Sequence, residues 1–502
     1  MMDRFASGNL GDIVRVVDAA TNSAYVDMAS DWPTGRAVNL AQIDAMAAAL
    51  AGGFGARFER GTRIAILARN GLAFTLSYLA LMRAGLVAVP LSWRMPADTI
   101  AFMIEDAVCQ AALFDAEFAY LLPESLLRID LAGDEFAKLF GHAQMASVIP
   151  EPGEECEILY TSGSTGRPKG VALDHHGQMW ALKRFLAASG DSMERTIIAA
   201  PAYHMNGLFF TTVALALGWR AYSLPGFDAR KYLELAAQER CTMLSGIPTM
   251  FAMMARETDL IERLDFSSVK TVLIGSAPLT LALIDRVKVI FPEAEVRNSY
   301  GTTECGPAMF GPHPQGFARP ALALGYPYPD VEWRLEDGSA TEGRLVTRTP
   351  AVFDRYLNLP DVTAQRLADG WYDTGDIVRH DADGFFYFVG RADDMFVCGG
   401  ENIYPGEVEK LIERHPAVLQ AAVLPVSDPI KGAIPIAFVV PVEGARCDPE
   451  DVKRFALENG PAYAHPRKVV LLDALPVGGT HKVDRKALEP LAQQAGSDLR
   501  RD

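Results

Sequence analysis

The chain has 502 residues, a formal net charge of -16 at pH 7 and 49% hydrophobic residues. This length exceeds what one compact core usually holds, so we expect at least two domains. The acidic balance argues against nonspecific nucleic-acid binding and against a polybasic membrane anchor. The apolar windows are too short or too interrupted to cross a bilayer, and the first residues lack a secretory signal pattern. We therefore expect a cytoplasmic protein without integral membrane segments.

The six cysteines are far apart in the sequence, with no Cys-x-x-Cys pair and no histidine at zinc-ligand spacing. We expect free thiols. Because the overall charge repels anions, an anionic substrate must meet a locally basic or amide-lined site.

Between about residues 63 and 300, short apolar runs alternate with longer amphipathic ones, as in residues 63–68 followed by residues 74–85. This alternation is typical of α/β proteins with largely parallel sheets flanked by helices. After Gly325 the pattern changes to short strands with turn signals. It predicts a small antiparallel or barrel-like module over about residues 320–391.

The last part of the chain alternates strands and helices again, which predicts a small α+β domain. A polar joint at residues 391–394 precedes it and is the expected hinge. The predicted organisation is an N-terminal domain over residues 1–391 and a small, mobile C-terminal lid domain over residues 392–502.

Residues 160–170 (YTSGSTGRPKG) follow a strand-like run and combine four Ser and Thr hydroxyls, three glycines and two cations. Such a loop can wrap a polyphosphate through backbone N–H groups, hydroxyls and the charge of Lys169. It is not a Walker A loop, because Pro168 and Gly170 flank the lysine where that motif needs Gly and Ser or Thr. The alternative is a solvated Gly/Ser turn.

Seven further motifs accompany this loop. They are residues 201–207 (PAYHMNG), 275–279 (GSAPL), 298–304 (NSYGTTE), 371–376 (WYDTGD), 390–394 (GRADD), 399–405 (GGENIYP) and 480–485 (THKVDR). In this order they make the chain resemble, over nearly its whole length, the adenylate-forming enzymes, which include acyl-CoA synthetases, firefly luciferase and the adenylation domains of peptide synthetases. The resemblance implies an acyl-CoA synthetase that uses ATP, Mg2+ and coenzyme A, with pyrophosphate and AMP as products.

Three residues of the 298–304 motif suit a nucleotide. Tyr300 offers an aromatic face for adenine, Thr303 a hydroxyl for a phosphate, and Glu304 a hard oxygen ligand for Mg2+. Asp376 can accept hydrogen bonds from ribose hydroxyls, with Arg391 assisting. The alternatives are a capped helix start and a turn-stabilising aspartate. The resemblance extends the ATP site to Thr161, Ser162, Gly163, Ser164, Thr165, Gly166, Lys169, Ser276, Ala277, Pro278, Asn298, Ser299, Tyr300, Gly301, Thr302, Asp376 and Arg391, with Glu304 and Thr165 as metal ligands.

Four residues receive catalytic roles from the resemblance: Lys482, Thr303, Glu304 and His204. Lys482 would bridge the substrate carboxylate and the α-phosphate, and so stabilise charge where two anions meet. Asp393 matches the family's hinge residue, about which the small domain turns between the two half-reactions. An ordinary solvated lysine and an ordinary loop aspartate are the alternatives.

The residues after His204 predict the class of acid. Peptide-synthetase relatives carry an Asp near this position to bind an ammonium group, whereas this chain has Met205 and Asn206, which disfavours amino acids. The predicted acyl pocket consists of His204, Met205, Phe209, Gly301 and Met309, with Trp180, Phe185 and Phe210 as further apolar candidates. About half of these aromatic residues are expected to be ordinary core. The pocket favours an aromatic or a short-to-medium aliphatic acid.

The expected thiol is that of coenzyme A. By resemblance, Gly399 and Gly400 line the pantetheine channel, where a side chain would obstruct the slender arm. Arg94, His465 and Arg467 are the predicted contacts to the nucleotide end of CoA. A carrier protein in place of free CoA stays open, as does a homodimer.

Other classes make distinct predictions. A luciferase-type oxygenase would take up O2, and nothing in the sequence favours it. A noncatalytic nucleotide-binding homologue would be expected to lack Glu304 or Lys482, and both are present. A P-loop kinase is disfavoured by the missing Walker spacing.

Overall fold

The computed structural model describes residues 5–14, 24–29, 35–161, 167–189, 193–478 and 482–499. In chain order its strands are β1 (Ala24–Asp27), β2 (Arg36–Asn39), β3 (Arg63–Leu67), β4 (Val87–Pro90), β5 (Ala111–Phe114), β6 (Leu127–Asp130), β7 (Glu155–Thr161), β8 (Lys169–Asp174), β9 (Arg195–Ile198), β10 (Arg220–Ser223), β11 (Met243–Gly246), β12 (Thr271–Gly275), β13 (Glu295–Ser299), β14 (Phe310–Gly311), β15 (Tyr326–Pro327), β16 (Glu332–Glu336), β17 (Glu342–Arg348), β18 (Arg355–Tyr356), β19 (Leu367–Ala368), β20 (Trp371–His380), β21 (Phe386–Arg391), β22 (Phe396–Cys398), β23 (Glu401–Ile403), β24 (Val418–Asp428), β25 (Gly432–Pro441) and β26 (Lys468–Leu471).

The α-helices are α1 (Leu40–Arg57), α2 (Leu72–Arg83), α3 (Ala97–Asp106), α4 (Asp134–Leu139), α5 (His175–Ser189), α6 (Met205–Leu217), α7 (Ala229–Gln238), α8 (Pro248–Met254), α9 (Thr258–Arg263), α10 (Leu281–Ile290), α11 (Pro360–Arg366), α12 (Pro405–Ile412), α13 (Pro449–Asn459) and α14 (Arg485–Leu499). Local sequence sets several of their starts. Asn39 and Gln42 form a capping box at α1, and the Thr280 hydroxyl caps α10. No described helix is long and apolar enough to cross a bilayer.

Two seven-stranded sheets form the body of the N-terminal part. The first sheet has the order β13-β12-β11-β9-β10-β1-β2 and is parallel except for β2. The second has the order β18-β8-β7-β4-β3-β5-β6, in which β8 and β18 are the antiparallel additions. Four consecutive residues of β3 are buried, as a parallel sheet covered by helices on both faces requires. The predicted α/β class with mostly parallel sheets is confirmed.

The segment with short predicted strands forms a five-stranded antiparallel sheet, with the order β16-β17-β20-β19 and β21 beside β20. Its described strands do not close into a ring, so this sheet corresponds to the antiparallel alternative of the expectation. Its strands β20 and β21 bring Asp376 and Arg391 opposite each other in register. The sheet therefore contributes one wall of the site described below.

The C-terminal part has a sheet of its own, with the order β23-β22-β25-β24 and β26 parallel to β25. Helices α12, α13 and α14 pack on it around a separate core that includes Ile436 and Phe438. This is the separate C-terminal domain that the sequence predicts. Since β21 ends in one sheet and β22 begins in another, we propose that the domain boundary lies between Arg391 and Phe396.

Candidate active site

A cleft of about 1340 Å³ lies where the two domains meet. The carboxyl ends of β11, β12 and β13 supply one side of it through Ile247, Ser276 and Tyr300. The antiparallel sheet supplies Asp376, and the C-terminal domain supplies Lys482. A crevice at the carboxyl ends of parallel strands is the usual place for a ligand in an open α/β sheet.

Tyr300, Asp376 and Arg391 form one hydrogen-bonded group in this cleft. The Tyr300 hydroxyl donates to Oδ2 of Asp376 at 2.5 Å, and Arg391 Nη1 donates to Oδ1 at 2.9 Å. Asp376 is only 4% exposed, and its burial raises the pKa of its carboxyl, while Arg391 opposes that rise. Both contacts fix the carboxylate beside the tyrosine ring, so it can accept further hydrogen bonds from a ligand without reorienting.

Glu304 also lines the cleft and is 9% exposed. The hydroxyl of Tyr356 donates to its Oε1 at 2.9 Å, and Lys169 Nζ stands 4.7 Å from the centre of the Tyr356 ring. Burial lowers the pKa of Lys169, and the nearby carboxylate of Glu304 opposes that effect. The charges of Glu304 and Lys169 therefore influence each other in a part of the cleft suited to phosphates.

Lys482 reaches the same cleft from the C-terminal domain. Its backbone is held by a hydrogen bond from Gly478 N to Lys482 O at 2.8 Å. The Lys482 residue keeps contact with solvent, but many protein atoms lie around its side chain. The resulting loss of hydration lowers the pKa of the ammonium group. Asp376 and Glu304 raise that pKa and Arg391 lowers it, so all three charges lie close to the ammonium group.

The phosphate-loop prediction falls largely on residues that the structure does not describe: Ser162, Gly163, Ser164, Thr165 and Gly166. The two ends of the loop are described. Thr161 and Lys169 pair across β7 and β8, and both line the cleft. Within the described part of the chain, Thr161 Oγ1 is buried without a hydrogen-bond partner. A phosphate oxygen would supply one, so this end of the cleft fits a polyphosphate.

Ser276 adopts a left-handed backbone conformation with φ +64°, just after β12. Asn206 Nδ2 donates to its hydroxyl at 3.2 Å, which links the 201–207 and 275–279 motifs. His204 immediately precedes α6 and packs edge-on against Tyr203, with ring centroids 4.6 Å apart. Other predicted residues that line the cleft are Thr161, Lys169, Ala277, Pro278, Asn298, Ser299, Gly301, Thr302 and Thr303.

An apolar slot continues the cleft between α5, α6 and the first sheet. Phe185 packs edge-to-face against Phe209 and Phe210, with centroids 5.7 and 5.8 Å apart. Met205 lines the slot with them. At Gly301 a Cβ atom would stand 2.5 Å from the carbonyl oxygen of Gly306, so only glycine fits there.

Two apolar residues proposed for the slot lie elsewhere. Met309 is 0% exposed and does not line the cleft; its sulfur contacts Cys305 Sγ at 3.2 Å, inside the core. Trp180 donates from Nε1 to Asp330 at 2.5 Å and is also absent from the lining. Both are core residues, because their helix and loop turn these side chains away from the cleft.

The predicted CoA contacts do not meet in the cleft. Gly399 and Gly400 have φ values of +63° and +92°, and a Cβ at either would meet no atom within 4 Å. Arg94 stacks on Trp93 at 5.0 Å, while Arg467 contacts His465. None of these five predicted residues lines the cleft. The structure therefore brings together the described residues of the predicted ATP site and most of the predicted acid residues, and it leaves the predicted CoA residues outside the cleft.

Comparisons with known proteins agree with this geometry. The family model described as AMP-binding enzyme matches residues 18–357, and the model for the AMP-binding enzyme C-terminal domain matches residues 407–482. The chain belongs to the AMP-binding enzymes. This enzyme is an AMP-forming acid–thiol ligase of the acyl-CoA synthetase branch.

Two relatives and one solved structure illustrate the family. The feruloyl-CoA synthase of Amycolatopsis sp is 32% identical over 468 residues, which cover 89% of this chain and 93% of that protein. The fatty acid–[acyl-carrier-protein] ligase ScoC of Streptomyces coeruleorubidus is 29% identical over 455 residues, covering 85% and 86%. The anthranilate CoA ligase AuaEII in complex with anthranoyl-AMP shares the fold, with a TM-score of 0.88 at 22% identity over 97% of this chain and 98% of that one.

Sequence reasoning missed one part of this AMP-binding enzyme's site. The hydroxyl of Tyr356 donates to Glu304, and Tyr372 lies beside both residues. Burial, and after it the charge of Glu304, raises the pKa of each phenol. Tyr356 belongs to none of the recognised motifs. It reaches the site because β18 pairs with β8 next to the phosphate loop.

No group of three or more His, Cys, Asp or Glu side chains that could hold a metal ion occurs among the described residues. Glu304 alone would give a magnesium ion one oxygen ligand. Mg2+ commonly combines one or two carboxylates with substrate phosphates and water, so this arrangement fits a metal that arrives with a nucleotide.

Proposed function

We propose that this enzyme uses ATP and Mg2+ to adenylate an apolar carboxylic acid, and then transfers the acyl group to the thiol of coenzyme A. The observation that carries the proposal is the meeting of Lys482, Asp376 and Glu304 in one cleft at the mouth of an apolar slot. Pyrophosphate leaves in the first half-reaction and AMP in the second.

Each side chain that lines the cleft has a task that its position supports, whereas the tasks of Thr165 and of residues 162–166 rest on the family resemblance alone. Tyr300 and Asp376 would hold the nucleoside, with Asp376 accepting from the ribose hydroxyls. Lys482 would lie between the carboxylate of the acid and the α-phosphate, where its charge offsets the repulsion between two anions. Glu304 and Thr165 would ligate Mg2+, which neutralises phosphate charge when it is bound. The phosphate loop over residues 162–166 would cradle the leaving pyrophosphate.

The slot supports an elongated acid with an apolar body. Residues of the strands line it from the carboxyl ends back to Met243, Thr271 and Glu295 at the strand starts. The span of β12 alone is about 13 Å at the usual rise per residue. We propose an aromatic acid with a side chain, or a medium-chain aliphatic acid, rather than an acid of benzoate size.

The two half-reactions need two arrangements of the domains. In the described arrangement Lys482 lies in the cleft while Gly399 and Gly400 lie outside it. We propose that the C-terminal domain turns about Asp393 after adenylation, which removes Lys482 and brings the glycine pair to the acyl-adenylate. An enzyme that consumes ATP and CoA belongs where both are abundant, so the cytoplasmic expectation is retained as part of the proposal.

A carrier-protein thiol is the second candidate acceptor. One relative, ScoC, is a fatty acid–[acyl-carrier-protein] ligase, and it matches this chain almost as well as the feruloyl-CoA synthase does. The predicted CoA contacts Arg94 and Arg467 favour free CoA, because a phosphorylated nucleotide needs cations.

An acid panel tests the proposal. Pyrophosphate release is measured with butanoate, octanoate, dodecanoate, benzoate and ferulate, each with CoA, with a pantetheinylated carrier protein, and with neither. We expect the highest rates with octanoate or ferulate, and multiple turnovers only with CoA. ADP in place of AMP as product would overturn the adenylation mechanism, and turnover with the carrier protein alone would replace CoA as the acceptor.

A further inference from the structure

One side chain of the N-terminal domain donates two hydrogen bonds to the backbone of the C-terminal domain. Arg286 on α10 donates from Nη1 to the carbonyl of Leu419 at 2.6 Å and from Nη2 to the carbonyl of Val418 at 2.5 Å. The guanidinium is a rigid planar fork, so two consecutive carbonyls fix the direction of approach as well as the distance. Burial at this contact lowers the pKa of Arg286, and Glu413 opposes that effect.

A second contact between the domains lies beside the first. Glu413, just after α12, accepts a hydrogen bond from Ala421 N at 3.0 Å within its own domain. Across the interface it also accepts a hydrogen bond from the hydroxyl of Thr280, the capping residue of α10. A carboxyl at the start of a helix is favourably placed relative to the helix dipole. At this interface the N-terminal domain contributes the cation Arg286 and the C-terminal domain contributes the carboxyl group of Glu413.

This interface is linked to Lys482 by a short path of hydrogen bonds. Arg485, three residues after Lys482, donates from Nη1 to the carbonyl of Val423 on β24 at 2.8 Å. Glu409 Oε1 accepts from Val423 N at 2.7 Å and from Arg485 Nη2 at 2.6 Å. Strand β24 also carries the carbonyls of Val418 and Leu419, which accept from Arg286. Lys482 and these two carbonyls are therefore connected within the C-terminal domain and move together.

We propose that Arg286 is a positioning residue for adenylation, because its two hydrogen bonds dock the C-terminal domain in the orientation that places Lys482 in the cleft. The kinetic consequence rests on the proposed function, whereas the docking does not. Both bonds must break when the C-terminal domain turns for thiol transfer, and Arg286 then returns to water. Arg286 acts through Lys482 and touches no substrate.

The test compares Arg286→Ala with Lys288→Ala. Lys288 is an exposed cation on the same helix, and no hydrogen bond or ion pair of its side chain occurs among the described residues. Each hydrogen bond from a charged group changes an equilibrium constant by roughly tenfold or more, so losing two should reduce the docked population roughly a hundredfold. We expect Arg286→Ala to slow adenylation by that factor and to leave thioester formation from preformed acyl-adenylate unchanged. Arg286→Lys, which retains the charge without the fork, should fall between.

A second readout needs no substrate. Dyes placed at Tyr120 and Ile430, which are exposed on opposite domains, report the distance between the domains by energy transfer. We expect Arg286→Ala to change the transfer efficiency and Lys288→Ala to leave it at the wild-type value. An unchanged efficiency in Arg286→Ala, or equal slowing of both half-reactions, overturns the proposal. If the efficiency changes but no acid yields pyrophosphate with any variant, the proposed function fails and the docking role of Arg286 stands.

Discussion

The hydroxyl of Tyr300 donates to Asp376 at 2.5 Å, between residues that are 76 positions apart in the chain. This bond joins the aromatic ring expected to stack on adenine to the carboxylate expected to bind ribose. The phenol thus orients the carboxylate, in addition to offering a ring face.

Tyr300→Phe tests that relationship. The ring remains, but Asp376 loses one of its two fixed contacts and keeps only Arg391. A hydrogen bond to a charged group is worth about 1.5–3 kcal/mol, so we expect the KM for ATP to rise roughly ten- to a hundredfold, with little change in the KM for the acid. Steady-state kinetics with each substrate varied in turn measures the split. Tyr120→Phe removes an exposed hydroxyl outside the cleft lining and should change neither constant. An equal rise in both KM values would contradict the assignment.

Glu304→Gln tests the metal ligand. The amide can still accept from Tyr356, so the shape of the site is retained while the charge that a hard cation prefers is lost. We expect the Mg2+ concentration for half-maximal adenylation to rise at least tenfold, as read from a Mg2+ titration at fixed ATP.

Glu295→Gln is the matched control, because Glu295 is also a carboxylate of the cleft lining but pairs with Arg297 at 2.6 Å on the exposed side. It should titrate like the wild type. If Glu304→Gln reached wild-type rates at the wild-type Mg2+ concentration, Glu304 would not be the ligand.

Lys482→Ala tests the charge stabiliser. Removing one preorganised charge typically costs roughly 100- to 1,000-fold in rate, so adenylation should slow by that amount. Thioester formation from preformed acyl-adenylate should proceed at close to the normal rate, since the lysine is expected to have left the site by then. Single-turnover measurements of each half-reaction decide the matter, and equal damage to both would refute domain alternation.

Asp393→Pro should give the opposite pattern. In the described arrangement Asp393 pairs with Arg366 at 3.1 Å and Arg391 at 3.5 Å, and proline would fix φ at the joint. Adenylation should persist while thiol transfer slows. Asp393→Ala removes the same two ion pairs but leaves the joint free to turn, so it should transfer the acyl group faster than Asp393→Pro. Equal transfer rates in the two variants would locate the hinge elsewhere.

The sequence predicted the motif residues of the cleft better than the residues that pack around them. Tyr300 and Glu304 come from one short motif and Asp376 ends another, so local pattern was sufficient to name them. Asp376 lies within strand β20 and not at a turn. Tyr356 was missed because it meets Glu304 only through the pairing of β18 with β8, which no local pattern encodes. Met309 was placed in the acyl pocket on composition alone, and composition does not tell which way a side chain of a loop points.

The fold class followed from alternating apolar and amphipathic runs, because a parallel sheet buried on both faces requires such runs. The contact between Arg286 and two carbonyls of β24 had no sequence signal, since backbone acceptors are the same at every residue. Contacts between domains depend on how separately folded units come together. They are therefore the features that a reading of local motifs is least able to predict.

Glu157 provides a test of the core that is independent of catalysis. It lies on β7, is 1% exposed, and accepts the Tyr78 hydroxyl at 2.8 Å. Burial raises the pKa of Glu157 to about 7 from an ordinary 4.5, and the bond from Tyr78 only partly opposes that rise. Between these two values the unfolded chain loses its proton while the folded protein retains it. The burial of Glu157 therefore lowers the free energy of unfolding progressively as pH rises from 4.5 to about 7. Above about pH 7 the whole loss of stability is present.

Glu157→Gln removes this titration and keeps an acceptor for Tyr78. We expect the Tm of the variant to exceed that of the wild type by several degrees at pH 8, and the difference to shrink towards zero as pH approaches 4.5. Thermal unfolding at a series of pH values measures it. Glu155→Gln, two residues earlier on β7, removes a carboxylate that pairs with Arg63 at 2.8 Å, so it should give no gain at pH 8. A Tm difference for Glu157→Gln that stayed constant over this range would mean that burial does not raise the pKa of Glu157 above its value in the unfolded chain.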